Sequence, residues 1–109
     1  MTEQNDRFDP FPKIFHSLPR HKGQFPATVL AAEQCRVFFS TLAAGSEIPP
    51  HTHDTDNYSI ITQGELLLTM NGKTERIKQG QWCYVPKNER HSARTDKDTA
   101  LIEFWFEES

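Results

Sequence analysis

The sequence predicts an all-β domain whose sheet is closed into a barrel or doubled into a jelly roll. Three observations lead there. Short runs of β-forming residues recur at nearly regular spacing, divided by Gly, Pro and Asn turn signals. The last run alternates strictly, with Ala100, Ile102, Phe104 and Phe106 on one face and Leu101, Glu103 and Trp105 on the other. No segment of ten or more residues carries a helical period. A single open sheet would leave its edges unprotected, so closure or doubling follows.

Residues 1–24 come first and read as an extended arm. Pro10, Pro12 and Pro19, with Asp9, Arg20, His21, Lys22 and Gly23, do not sustain a helix. Phe8, Phe11, Ile14 and Phe15 give the arm apolar contacts that must pack on its own domain or on a second subunit. Residues 25–109 form the domain. Strands are expected at 25–31, 35–42, 58–63, 65–70, 73–77, 81–85, 90–94 and 99–106, about eight in all. Asn71-Gly72 between two of them is a hairpin turn, because both turn positions need a positive φ.

Bulk properties narrow the function. A chain of 109 residues buries roughly two thirds of its unfolded surface, enough for one core and one domain. Eight Phe, two Trp and two Tyr supply large side chains for that core. The net charge of −3, with positive residues scattered among acidic ones, argues against a nucleic-acid partner. The first residues, MTEQNDRFDPF, are too polar for a signal peptide, and no apolar run approaches the ~20 residues of a membrane span. Cys35 and Cys83 read as reduced thiols on half-buried strands. A cytoplasmic protein without membrane contact is expected.

The chemistry concentrates in "IPPHTHDTDNY", residues 48–58. Pro49 and Pro50 favour extended backbone, which points His51 and His53 the same way with Cα atoms roughly 6.6 Å apart. Two imidazoles so placed can converge on one ion at about 2.0–2.1 Å. Two ligands hold a transition metal poorly, so a third is needed. His16 and His21 sit in the arm and read as solvated. His91 follows a strand and a turn, and can return to the interior beside the pair.

These residues fall into two spaced patterns. Gly45, five residues, His51-x-His53, three residues, Asn57, six residues and Gly64 form the first. Gly80, five residues, Pro86, one residue, Asn88, two residues and His91 form the second. Both resemble the paired motifs of the cupin superfamily, and the resemblance covers about residues 35–106. It implies a double-stranded β-helix of the single-domain cupin 2 type. It also implies a metal held inside by His51, His53 and His91, with position 57 as the fourth ligand.

Three positions depart from the pattern. Asn57 stands where the family usually has glutamate, Asn88 where it has glycine, and Thr95 where it has asparagine. Asn88 tolerates left-handed backbone, and Thr95 adjusts a strand end. Asn57 changes the chemistry. Three imidazoles and a neutral amide leave a divalent ion near +2 rather than +1, which polarises bound oxygen more strongly. Asn57 can coordinate directly or hold a water. Asp56 should face away from the ion, and Asp54 should be solvated.

The ion is one divalent transition metal, with Fe, Zn, Ni and Mn all compatible with imidazole and oxygen donors. A metal-dependent enzyme on a small, oxygen-rich molecule follows, a dioxygenase, isomerase or lyase. The resemblance offers two templates: small three-histidine dioxygenases, and a pectin-degrading cupin that processes unsaturated uronates with glutamine at the comparable ligand place. Tyr84, Glu103 and Glu47 are candidates for proton transfer, Glu103 as a rim carboxylate facing solvent. The rival class is a ligand-binding or sensor cupin without turnover, including a barrel that has lost its metal. The aromatic arm and exposed strand edges suggest a homodimer.

Overall fold

Nine strands dominate the computed structural model, which describes residues 10–106. They are β1 (Ala27–Ala31), β2 (Cys35–Leu42), β3 (Glu47–His51), β4 (Asp56–Gln63), β5 (Glu65–Met70), β6 (Lys73–Lys78), β7 (Trp82–Val85), β8 (His91–Arg94) and β9 (Thr99–Phe106). All pair antiparallel, in one sheet of order β1-β2-β9-β4-β7 and another of order β3-β8-β5-β6. The predicted all-β jelly roll is therefore found, its sheet doubled into two layers.

Eight of the strands fall at or within two residues of the predicted runs. The ninth, β3, carries Pro49 and Pro50 and was not among them. Proline donates no backbone hydrogen bond, so it belongs only on an edge or at an irregularity. Both conditions hold, since β3 is the edge of the four-stranded sheet and its register with β8 shifts between Ile48 and His51.

Alternation buries one face of each sheet against the other. Leu42, Ile61, Leu66, Leu68, Ile77, Cys83, Val85 and Leu101 form the buried cluster. Each such aliphatic side chain contributes roughly 1.5–3 kcal/mol, against at most about 1 kcal/mol for an exposed pair such as Arg94–Asp96. The core holds the layers together. Asn71 and Gly72 adopt the positive φ of the predicted turn, at 55° and 75°.

The arm departs from a fully extended path. Lys13–Ser17 form one 3-10 turn, with the Phe15 N–H donating to the Pro12 carbonyl at 2.9 Å. The turn lets Phe11 and Phe15 both rest on Phe39 of β2, at ring separations of 5.7 and 4.7 Å. Beyond it, the His21 N–H donates to Ala27 and the Val29 N–H to Pro19, so the arm runs along β1. It thus lies across its own domain. Phe8, also expected in this contact, falls outside the described residues.

Candidate metal centre

Register brings the histidines together. His51 ends β3 and His91 begins β8, and the two are direct cross-strand partners. His53 lies two residues past the end of β3, where the Asn88 N–H donates to its carbonyl at 2.6 Å. Asn88 reaches that carbonyl from left-handed backbone, φ 66°, so the substitution of Asn for Gly leaves the turn intact. The ligand atoms of the three histidines all lie within 4.8 Å of one another.

Hydrogen bonds set which nitrogen faces the centre. The Nδ1–H of His51 donates to the Pro49 carbonyl at 2.8 Å, and that of His91 to the Glu89 carbonyl at 2.9 Å. A carbonyl only accepts, so each ring carries its proton on Nδ1 and turns an Nε2 lone pair inward. The Nε2 atoms of His51 and His53 are 3.1 Å apart. Burial, reinforced by His51 and His91, pushes His53 down to about 4, while Asp54 pulls weakly upward. Burial also lowers His91, against the Glu89 carbonyl. Both rings are neutral at pH 7, as metal ligation requires.

Asn57 faces the same cavity from the opposite, five-stranded sheet. On β4 it pairs with Val85 and Trp105, and it is buried. Its Oδ1 is buried without a hydrogen-bond partner. An orphaned amide oxygen costs about 1–3 kcal/mol, so its place in the cavity that the three histidines also line fits a cation or ordered water. Asp56 points outward, accepting from the Lys87 N–H at 2.9 Å and from the Tyr84 hydroxyl at 3.4 Å. Asp54 is exposed. Neither carboxylate restores the missing charge.

Thr95 does more than adjust a strand end. It is fully buried, its hydroxyl donates to Ala43 at 3.0 Å, and its backbone exchanges hydrogen bonds with Gly45 and Ser46. These bonds tie the end of β8 to the turn before β3, and hence His91 to His51.

The centre opens into a cavity of about 520 Å³ between the sheets. Its floor is apolar, from Leu66, Leu68, Ala93 and Leu101, while Ser40, Asn57, Ser59 and Glu103 line the wall of the five-stranded sheet. Three expectations are corrected here. Glu103 is no solvent-facing rim carboxylate but lines the cavity, accepting from the Ser40 hydroxyl at 3.0 Å. Tyr84 is on the outer face, stacked on Tyr58, and Glu47 is exposed away from the cavity. His21, read as solvated, is indeed exposed, and its ring edges Phe38 at 4.7 Å at the margin of the cavity.

Sequence reasoning missed Trp105. Its ring rests 4.4 Å from that of His53, and its buried Nε1–H has no hydrogen bond of ordinary geometry. The alternation of β9 was the available signal, since it placed Trp105 with Glu103. Ser40 and Ser59 gave no comparable sign, because their strands read as ordinary packing.

Fold and site together define a jelly-roll protein with a three-histidine cluster in its interior. A cupin-domain family model matches residues 38–106, so the chain belongs to the cupin family. Among curated proteins none matches it in sequence. Solved structures resemble it in fold. An RmlC-like cupin from Shewanella frigidimarina has a TM-score of 0.75 at 18% identity, covering 85% of this chain and 86% of that one. KdgF from Halomonas sp. has a TM-score of 0.74 at 17% identity, covering 86% and 90%. A mutant of salicylate 1,2-dioxygenase from Pseudoaminobacter salicylatoxidans has 0.63 at 23%, covering 67% of this chain and 21% of its own.

Proposed function

We propose that this cupin is a metal-dependent enzyme acting on a small, oxygen-rich molecule inside the cavity. His51, His53, His91 and Asn57 are the ligands of one divalent transition ion, Fe, Zn, Ni or Mn. The observation that carries this is the convergence of three imidazoles in a cavity that the unpartnered Asn57 oxygen also lines. Without a cation, that group of lone pairs would be a costly polar cluster in a small core. When bound, the ion supplies a positive centre that polarises a substrate oxygen.

The chain's own residues do the rest. Pro49 and Glu89 carbonyls hold two rings in the ligating tautomer. Trp105 walls one side of His53, and the leucine floor limits water. The salicylate 1,2-dioxygenase neighbour makes oxygen chemistry one reading, and proton-shifting isomerase or lyase chemistry is the other. The second is favoured by the cavity-facing carboxyl of Glu103. A sensor without turnover is the rival, and product from any substrate screen removes it.

Elemental analysis of the purified protein beside His91→Ala tests the reading. Near-stoichiometric metal in the parent, reduced at least tenfold in the variant, is expected. A parent that stays metal-free after reloading overturns the metal site and leaves a ligand-binding module.

We further place the protein in the cytoplasm, consistent with Cys35 and Cys83 both outside any disulfide, and expect a homodimer. Among the described residues, no helix is long and apolar enough to cross a membrane.

A further inference from the structure

Glu103 is the acid in the cavity that the metal reading does not use. It sits on β9 one inward position from Trp105, the residue that touches His53. Its cross-strand partners are Phe38 on β2 and Ser59 on β4. Ser40 donates to one carboxyl oxygen, and the side chain keeps its remaining exposure toward the cavity.

The groups facing it come from every packed element. Arg36 on β2 is the permanent cation among the lining residues, and it lies at the exposed rim. Cys83 on β7 is neutral, its thiol pushed up to about 11 chiefly by burial. His51, His53 and His91 lie across the cavity, and His21 enters from the arm. β5 and β8 otherwise offer Leu66, Leu68 and Ala93. Burial therefore dominates and pushes the Glu103 carboxyl up to about 7. The Ser40 hydroxyl offsets this in part, and the Trp105 indole acts in the same direction without a hydrogen bond of ordinary geometry. A carboxyl so placed exists in both forms near neutral pH, the condition for efficient proton transfer.

We propose that Glu103 is the acid–base residue of this cavity, moving a proton between adjacent carbons of a small hydroxy-ketone or hydroxy-aldehyde whose oxygen binds at the histidine centre. The proposal rests on that centre being the place where the substrate oxygen binds. The carboxylate takes a proton from the carbon beside the carbonyl. The C–H pair becomes a C=C bond, and the carbonyl π pair moves onto oxygen. A second proton shift between the two oxygens and return of the proton from Glu103 to the neighbouring carbon give the isomer. Atoms and electrons balance, and no oxidant is consumed. Ser40 positions the carboxyl and steadies its charged form.

The test uses the metal-loaded parent, Glu103→Gln and Ser40→Ala, with dihydroxyacetone in deuterated water as probe. Side-chain carboxyl titration by carbon NMR on glutamate-labelled protein runs beside deuterium exchange at the probe's carbons. The proposal expects a Glu103 midpoint near 7, raised further in Ser40→Ala. It expects parent exchange that rises with pH through the same midpoint, and a loss of about 100-fold or more in Glu103→Gln at unchanged metal content and melting temperature. An ordinary carboxylate midpoint, or equal exchange in parent and Glu103→Gln, overturns it. So does metal loss in Glu103→Gln, which would make the residue a support of the metal. A metal-free parent defeats the metal reading separately, and the carboxyl midpoint then decides whether Glu103 is a proton carrier.

Discussion

At the scale of single residues, the proposed metal would compete with protons for the histidines. The unfolded chain protonates His53 near its ordinary 6.5, whereas the folded chain does so only near 4. The folded state therefore binds fewer protons across that window, and the stability this contributes is present above 6.5 and lost as pH falls toward 4. Metal occupancy should follow the same direction. Retention at pH 6 and release by about pH 4, followed by metal content after gel filtration at each pH, is the expected outcome. Full retention well below pH 4 would place the ion on groups other than these histidines. Asn57 belongs to the same scale, since an amide has no proton to lose and adds no pH dependence of its own.

At the scale of elements, turns position the motif that carries the clustered histidines. Gly64 closes the first motif between β4 and β5 at φ +79°, and an added Cβ would lie 2.6 Å from Thr99 Oγ1 and 2.9 Å from Thr99 Cα. Gly45 opens the motif at φ +87°, but nothing lies within 4 Å of its Cβ position. Gly64→Ala should thus cost the backbone strain plus a clash with buried Thr99, about 3 kcal/mol or more. Gly45→Ala should cost only the strain, about 1 kcal/mol. Denaturant midpoints of the two variants measure the difference, and equal midpoints would remove the packing role assigned to Gly64. The glycine spacing was readable in the sequence as turn chemistry. Which glycine is crowded was not, because Thr99 comes from a strand 35 residues later in the chain.

At the scale of the whole molecule, the five-stranded sheet mixes polar and apolar side chains on its inner face and carries an apolar patch on its outer one. Its inner face lines the cavity, while Trp82, Tyr84, Tyr58 and Phe106 stand 59%, 44%, 40% and 44% exposed on the outer one. The arm covers only the part around Phe39. This uncovered patch, rather than the arm, is now the surface that favours the expected homodimer. Light scattering at micromolar concentration should give twice the chain mass, and Trp82→Glu should shift it to the monomer. A monomeric parent would count against the dimer.

The sequence by itself determined the architecture and the three histidines that cluster. Period-2 patterning, turn residues and two spaced histidine motifs are local signals, and each survives in the fold. It also placed Trp105 and Glu103 on one face of β9, but not which face. Only the tertiary structure decided that this face looks into the cavity, that Glu47 and Tyr84 look away, and that the arm returns to its own sheet. The physical reason is that alternation defines two sides of a strand without naming the inner one. The opposing sheet does that, by enclosing the cavity that Glu103 faces and leaving Tyr84 exposed on the other side.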